Sequence, residues 1–99
     1  MRIITGTAKG AKLETLEGLD TRPTAERVKE SVFSMLQFEI ENRKVLDLFA
    51  GSGQMGLEAL SRGASGCTFV EKSLDAMAIV KKNAQKTRLI DKCKILNVD

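Results

Sequence analysis

Histidine, tryptophan and tyrosine are all absent from this chain of 99 residues. Their absence excludes Ser-His-Asp and Cys-His nucleophilic chemistry, and metal sites built on imidazole. Cysteine occurs twice, as Cys67 and Cys93, with no Cys-x-x-Cys spacing. Both fall in apolar, strand-like stretches, so two buried free thiols and no metal are expected. Proline occurs once, at Pro23. No run approaches the ~18 apolar residues that a membrane-spanning helix needs, and the N-terminus lacks a signal-peptide pattern. The expected compartment is the cytoplasm.

What remains is the composition of an ordinary globular protein, 42% hydrophobic and 29% charged. A chain of this length builds one modest core, burying somewhat over ~60% of its unfolded surface. Sixteen basic against 13 acidic residues give a net charge of +3, a mild pointer to an anionic partner.

Residues 1–23 read as an N-terminal basic arm and loop. Within them MRIITGTAKGAKL has Gly6 and Gly10 between β-compatible pieces, and Arg2, Lys9 and Lys12 with no acid. A β-hairpin with a basic face is expected there. Residues 24–99 read as an α/β unit. Thr24 is placed to cap a helix over 24–40 whose stripe is Val28, Val32, Met35, Leu36 and Ile40. KVLDLF is a buried strand, and a helix from Met55 to Arg62 stops at Gly63 as a left-handed cap. CTFVE is a second strand ending at Glu71, and Ser73 caps a helix over 74–87. CKILNVD is a third strand, ending at Asp99. Met35, Met55 and Met77 read as core, and Lys81, Lys82 and Lys86 as a solvated helix face.

Strands alternating with helices predict a parallel sheet with right-handed crossovers and helices on both faces, a Rossmann-like architecture. Three strands make a thin sheet of this kind, so a domain truncated after its third core strand is expected. The third-strand edge would then invite self-association.

The chemistry lies in residues 45–56, VLDLFAGSGQMG, where Gly51, Gly53 and Gly56 have G-x-G-x-x-G spacing. Glycines let the backbone turn sharply and approach a ligand with no Cβ in the way. The helix N-terminus that follows offers free N–H groups and partial positive charge. It opens at the carboxyl end of the first strand, where open α/β sheets bind ligands. Glu71, about twenty positions after Gly51, suits ribose hydroxyls. Asp47 discriminates further. A carboxylate gains nothing beside a pyrophosphate, whereas S-adenosylmethionine (SAM) has no phosphate and carries a cationic sulfonium and ammonium. The charge pattern favours SAM. The competing readings are an NAD(P)-binding oxidoreductase domain, resting on the glycine spacing and Glu71, and a non-catalytic RNA-binding module with a structural loop. Asp47 itself either serves the cofactor site or only orients the loop backbone.

Asp47-x-Phe49-x-Gly51-x-Gly53 resembles motif I of class I methyltransferases that modify exocyclic amino groups of nucleobases. MRIITGTAKGAKL, TRPTAERVKESVF and VLDLFAGSGQMGLEALSRGA followed by FVEK resemble the N-terminal half of the RsmD-like family, which methylates guanine N2 of small-subunit ribosomal RNA. The resemblance implies that Gly51 and Gly53 back the methionine part of SAM, with Asp47 near its ammonium. It implies Glu71 on the ribose, Lys72 beside the adenine and Asp99 at the adenine amino group. Arg22 and Thr24, in TRPT, would close over the cofactor, while Arg2, Lys9 and Lys12 would touch RNA phosphate. The implied partner is ribosomal RNA or a small-subunit assembly intermediate. The family's catalytic Asn/Asp-Pro-Pro-aromatic motif has no counterpart in these residues. No catalytic residue is therefore expected in the chain, and the isolated piece is expected to be inactive.

Overall fold

Val45, Leu46 and Leu48 form the first strand where the apolar run predicts it. A computed structural model describes residues 2–15, 23–36, 38–48 and 53–97, with only the backbone described for 23–26. The elements are α1 (Pro23–Leu36), β1 (Lys44–Leu48), α2 (Gln54–Ser61), β2 (Gly66–Glu71), α3 (Leu74–Lys86) and β3 (Cys93–Asn97), the last preceded by a short 3-10 turn at Ile90–Lys92. The sheet order is β1-β2-β3, with both pairings parallel. Val45 lies opposite Cys67, and Asp47 opposite Phe69. Phe69 in turn faces Ile95, and Glu71 faces Asn97.

The two crossovers step along the sheet in one direction. Right-handed crossovers that do not reverse direction put their helices on the same face. The described helices accordingly pack on the face carrying Val45, Cys67, Phe69, Cys93 and Ile95, where Leu57, Leu60, Val80 and Ala84 complete the core. Helices were expected on both faces, but among the described residues one face is covered. Leu46 and Leu48 on the other side are 60% and 57% exposed. β3 is an edge strand, as expected, yet the larger exposed side chains belong to β1.

The helix ends follow from local chemistry. Ser73 Oγ accepts the Ala76 N–H at 3.2 Å, capping α3 as predicted. Past α2, Gly63 sits at φ +108°, its N–H donating to Leu60 O and the Ala64 N–H donating to Ala59 O. This is a Schellman motif. α3 ends in the same pair of bonds, Arg88 to Gln85 and Leu89 to Ala84, but with Arg88 at φ +62° in the left-handed position.

Two expectations need correction. α1 ends at Leu36, so Ile40 is buried beyond the helix and not on it. The inward stripe is Lys29 and Phe33, with Leu36 at its edge, whereas Val28 is exposed and Met35 is 83% exposed. Met35 is therefore not core, and neither is Met55 of α2, which is 36% exposed. The helix is rotated because Lys29 finds a buried carboxylate and Phe33 buries a larger ring than any residue of the expected stripe. The N-terminal hairpin is reduced to one antiparallel bridge, Arg2 with Lys12. Its remaining donors turn to α2: the N–H groups of Ile4 and Thr5 donate to Glu58, and that of Thr7 to Ser61 O. Ile3 and Leu13 join the common core. The thiols of Cys67 and Cys93 are free, the first buried and the second half-buried, and burial pushes them up to about 12 and about 11. Burial thus favours the protonated thiol at both positions.

Candidate functional site

The carboxyl ends of three parallel strands meet the N-termini of α2 and α3. Asp47, the penultimate residue of β1, points to the helical face and its Oδ2 accepts the Gly56 N–H at 3.1 Å. That N–H belongs to the first turn of α2 and has no partner within the helix. Asp47 thus does the work of an N-cap from a neighbouring strand, since the cap position itself is Gly53, which has no side chain. Burial pushes the Asp47 carboxyl above the ordinary aspartate range, and the Gly56 N–H pulls it partly back.

The glycines of the motif divide their labour. Gly53 adopts φ +81°, the left-handed conformation that closes the turn, and its carbonyl accepts the Leu57 N–H at 2.9 Å. A Cβ at Gly56 would lie 2.3 Å from Phe69 Cε1 and 2.6 Å from Cys67 Sγ. Gly56 is therefore the contact through which α2 packs on β2. Gly51, Phe49, Arg22 and Asp99 lie outside the described residues, as does the side chain of Thr24.

Glu71 closes β2 with its side chain buried and its Oε2 accepting the Ser73 N–H at 2.9 Å. Lys72 beside it is exposed. Sequence reasoning missed Asn97, whose Nδ2 donates to the carbonyls of Glu71 at 3.0 Å and Lys72 at 2.9 Å, riveting the end of β2 to β3. It also missed Gln54, the first residue of α2. Gln54 Oε1 is buried and has no hydrogen-bond partner among the described residues. Asp47, Gly53, Glu71 and Lys72 are thus brought to one edge of the sheet.

Sequence reasoning further missed Glu58. This fully buried carboxylate accepts the N–H groups of Ile4 at 2.8 Å and Thr5 at 3.1 Å, and pairs with Lys29 Nζ at 3.2 Å and Arg62 Nε at 2.9 Å. A signal was present: Leu57, Ala59 and Leu60 leave α2 apolar around its single acid, and an acid on a buried helix needs partners. Around the clamp Lys29 Nζ donates to Arg2 O at 2.7 Å, and the Arg62 guanidinium stacks 4.9 Å from the Phe33 ring centre. Asn83, also buried, receives the Glu14 N–H and returns a bond to the Glu14 carbonyl, both at 2.8 Å. The arm is docked, and it leaves Arg2, Lys9 and Lys12 exposed.

A parallel sheet with a glycine turn after its first strand and a carboxylate ending its second is common to dinucleotide-binding and methyltransferase folds, and the solved structures it superposes on place this one with the Rossmann-like class I methyltransferases. A solved candidate methyltransferase of Escherichia coli, yhhF, superposes with a TM-score of 0.88 at 39% identity, covering 100% of this chain and 53% of that one. A Thermus structure of unassigned role superposes with a TM-score of 0.84 at 33% identity, covering 99% and 55% of the two chains. The chain belongs to the family described as conserved hypothetical protein 95, whose model matches residues 1–99. It is 42% identical over 99 residues to YlbH, a candidate rRNA methyltransferase of Bacillus subtilis, covering 100% of this chain and 54% of that protein. It is 46% identical over 85 residues to ribosomal RNA small subunit methyltransferase D of Haemophilus influenzae, covering 86% of this chain and 44% of that protein. The chain spans about half the length of these curated relatives. Among the described residues no helix is long and apolar enough to cross a membrane, and no side-chain cluster could hold a metal ion.

Proposed function

We propose that this chain is the cofactor-binding part of a SAM-dependent methyltransferase acting on guanine N2 of small-subunit ribosomal RNA. The Asp47–Gly56 bond carries this reading. A dinucleotide fold needs the N-terminus of this helix for pyrophosphate. In this chain a carboxylate already occupies that positive end, so a phosphate would meet like charge, whereas an ammonium or sulfonium would meet its complement. Gly56, the residue that completes the dinucleotide spacing, is accounted for by packing alone.

The residues present suit the cofactor. Gly53 makes the left-handed turn at the head of α2, Glu71 ends β2 where it would take ribose hydroxyls, and the buried Gln54 Oε1 has no hydrogen-bond partner among the described residues. Gly51 and Gly53 would back the methionine part, in the motif shared with Phe49. Asp47 would act on the ammonium through the turn it orders. Lys72 would flank the adenine, Asp99 its amino group, and Arg22 and Thr24 would close the site. When bound, the cofactor supplies a methyl group on positive sulfur, already an excellent leaving group. The protein's share is orientation and exclusion of water, which suits a chain without histidine. Arg2, Lys9 and Lys12, exposed on an arm with no aromatic residue, would contribute phosphate affinity rather than base reading. No catalytic residue is assigned within these 99 residues.

Isothermal titration with S-adenosylhomocysteine and, separately, with NAD tests the reading. Binding of the first alone is expected. Binding of NAD alone would replace the proposal with an oxidoreductase domain.

A further inference from the structure

We propose that Glu58 is a positioning residue that couples docking of the basic arm to the cofactor turn, so that RNA binding and cofactor binding favour one another. The inference rests on the functional reading above and adds regulation of that same site.

Three segments converge on the Glu58 carboxylate. The arm contributes the N–H groups of Ile4 and Thr5, α1 contributes Lys29, and the C-cap of α2 contributes Arg62. Ser61, a few residues on, tightens the grip: its Oγ donates to Thr5 O at 2.6 Å and accepts the Ala8 N–H at 2.9 Å, while its carbonyl accepts the Thr7 N–H at 2.8 Å. The arm therefore holds the C-terminal half of α2. The N-terminal end of the same helix is the cofactor turn, held by Asp47 through Gly56.

An eight-residue helix is about 12 Å long and moves as a rod. Phe69 under Gly56 serves as a fulcrum, because a helix packed this closely tilts before it slides. Displacing the arm at one end therefore shifts Gly53 and Gln54 at the other. Arg2, Lys9 and Lys12 ride on the arm, and Lys29 also grips the Arg2 carbonyl. Phosphate contacts that order the arm thus order α2, and a ligand that fixes the turn fixes the arm. Lys29 extends the linkage to α1, whose first turn holds Thr24. The buried ion pair is the part of this chain that makes the linkage geometric: its partners leave Glu58 a single arrangement.

The test measures S-adenosylhomocysteine affinity of the 99-residue chain with and without a short RNA hairpin, in the wild type and in the Lys29→Met, Glu58→Gln double variant. The double variant removes the two fully buried charges together, where either single change would strand one, and leaves Arg62, at the rim of the clamp, on the Phe33 ring. In the wild type the hairpin should tighten S-adenosylhomocysteine by at least about fivefold, the low end of ordinary coupling between sites. In the double variant the factor should fall toward one while each ligand still binds. A merely structural role would weaken both affinities and leave their ratio alone. A wild-type factor of one, or an equal factor in the double variant, overturns the coupling and leaves the functional reading standing. Absence of S-adenosylhomocysteine binding to the wild type overturns that reading first. Hydrogen exchange on the wild type does not depend on the variant folding. Saturating S-adenosylhomocysteine should slow exchange of the Ile4 and Thr5 amides, and unchanged exchange rates would also overturn the coupling.

Discussion

Replacing Gly56 by alanine sets two physical effects against each other with opposite signs. Helix propensity favours alanine over glycine by about 1 kcal/mol in a helix interior. Packing opposes it. The new Cβ would lie 2.3 Å from Phe69 Cε1, 2.7 Å from Phe69 Cζ and 2.6 Å from Cys67 Sγ. Carbon atoms in good contact sit about 3.5–4.0 Å apart, so α2 or the Phe69 ring must move by more than an ångström. Phe69 is fully buried at the centre of the sheet and has no open side to move into. Overpacking of this kind typically costs about 1–3 kcal/mol, occasionally more, and this overlap belongs at the upper end. Packing wins, with a net loss of about 2 kcal/mol. At about 4–8 °C per kcal/mol for a domain of this size, Gly56→Ala should melt roughly 8–16 °C below the wild type by circular dichroism. Adding Phe69→Leu removes the ring atoms that clash, so the double variant should lose less than the sum of the two single changes. A melting temperature unchanged or raised in Gly56→Ala would show that propensity dominates. It would return Gly56 to the list of ligand-facing glycines.

Two further substitutions test the local electrostatics and strain. Asp47→Ala should lose about 0.5–2 kcal/mol, the cost of deleting a helix cap, whereas Asp47→Asn keeps an acceptor for the Gly56 N–H. Burial raises the folded-state pKa of Asp47, so the folded protein binds this proton more tightly than the unfolded chain. The contribution of Asp47 to stability is therefore complete at low pH and declines as pH rises from about 3.8 through the folded value. Thermal melts at pH 7 should place Asp47→Asn at or above the wild type, with the gap closing toward pH 4, and an Asn variant well below the wild type at pH 7 would refute this. Arg88→Gly should raise stability by about 1 kcal/mol, because Arg88 holds φ +62° at the end of α3, where glycine is free of Cβ strain. A lowered denaturation midpoint would show that the Arg88 side chain contributes more than its backbone strain costs.

The alternation of strands and helices from Lys44 to Asn97 was legible in the sequence, because the signals are local. Apolar runs bounded by turn residues, Ser73 at a helix start and Gly63 at a helix end each act within a few positions. The positions of Asp47 and Glu71 were legible for the same reason: they lie at strand ends whose order along the chain is also their order in the sheet. The division of roles within the motif was not legible. G-x-G-x-x-G spacing is the same whether its last glycine meets a ligand or, as Gly56 does, a phenylalanine ring from the next strand.

What tertiary structure alone decided was the destination of polar groups whose partners lie far away in sequence. The arm has a hairpin's spacing, but its N–H groups bind Glu58 and Ser61, more than fifty residues on. The apolar stripe read along α1 includes Val28 and Met35, yet the inward side carries Lys29, which pairs with Glu58, and Phe33, and it leaves Met35 outside. Periodicity specifies that a helix forms and that one side is apolar. Which side is buried depends on a charge that cannot be left unpaired once it is removed from water, and that charge is carried by another element.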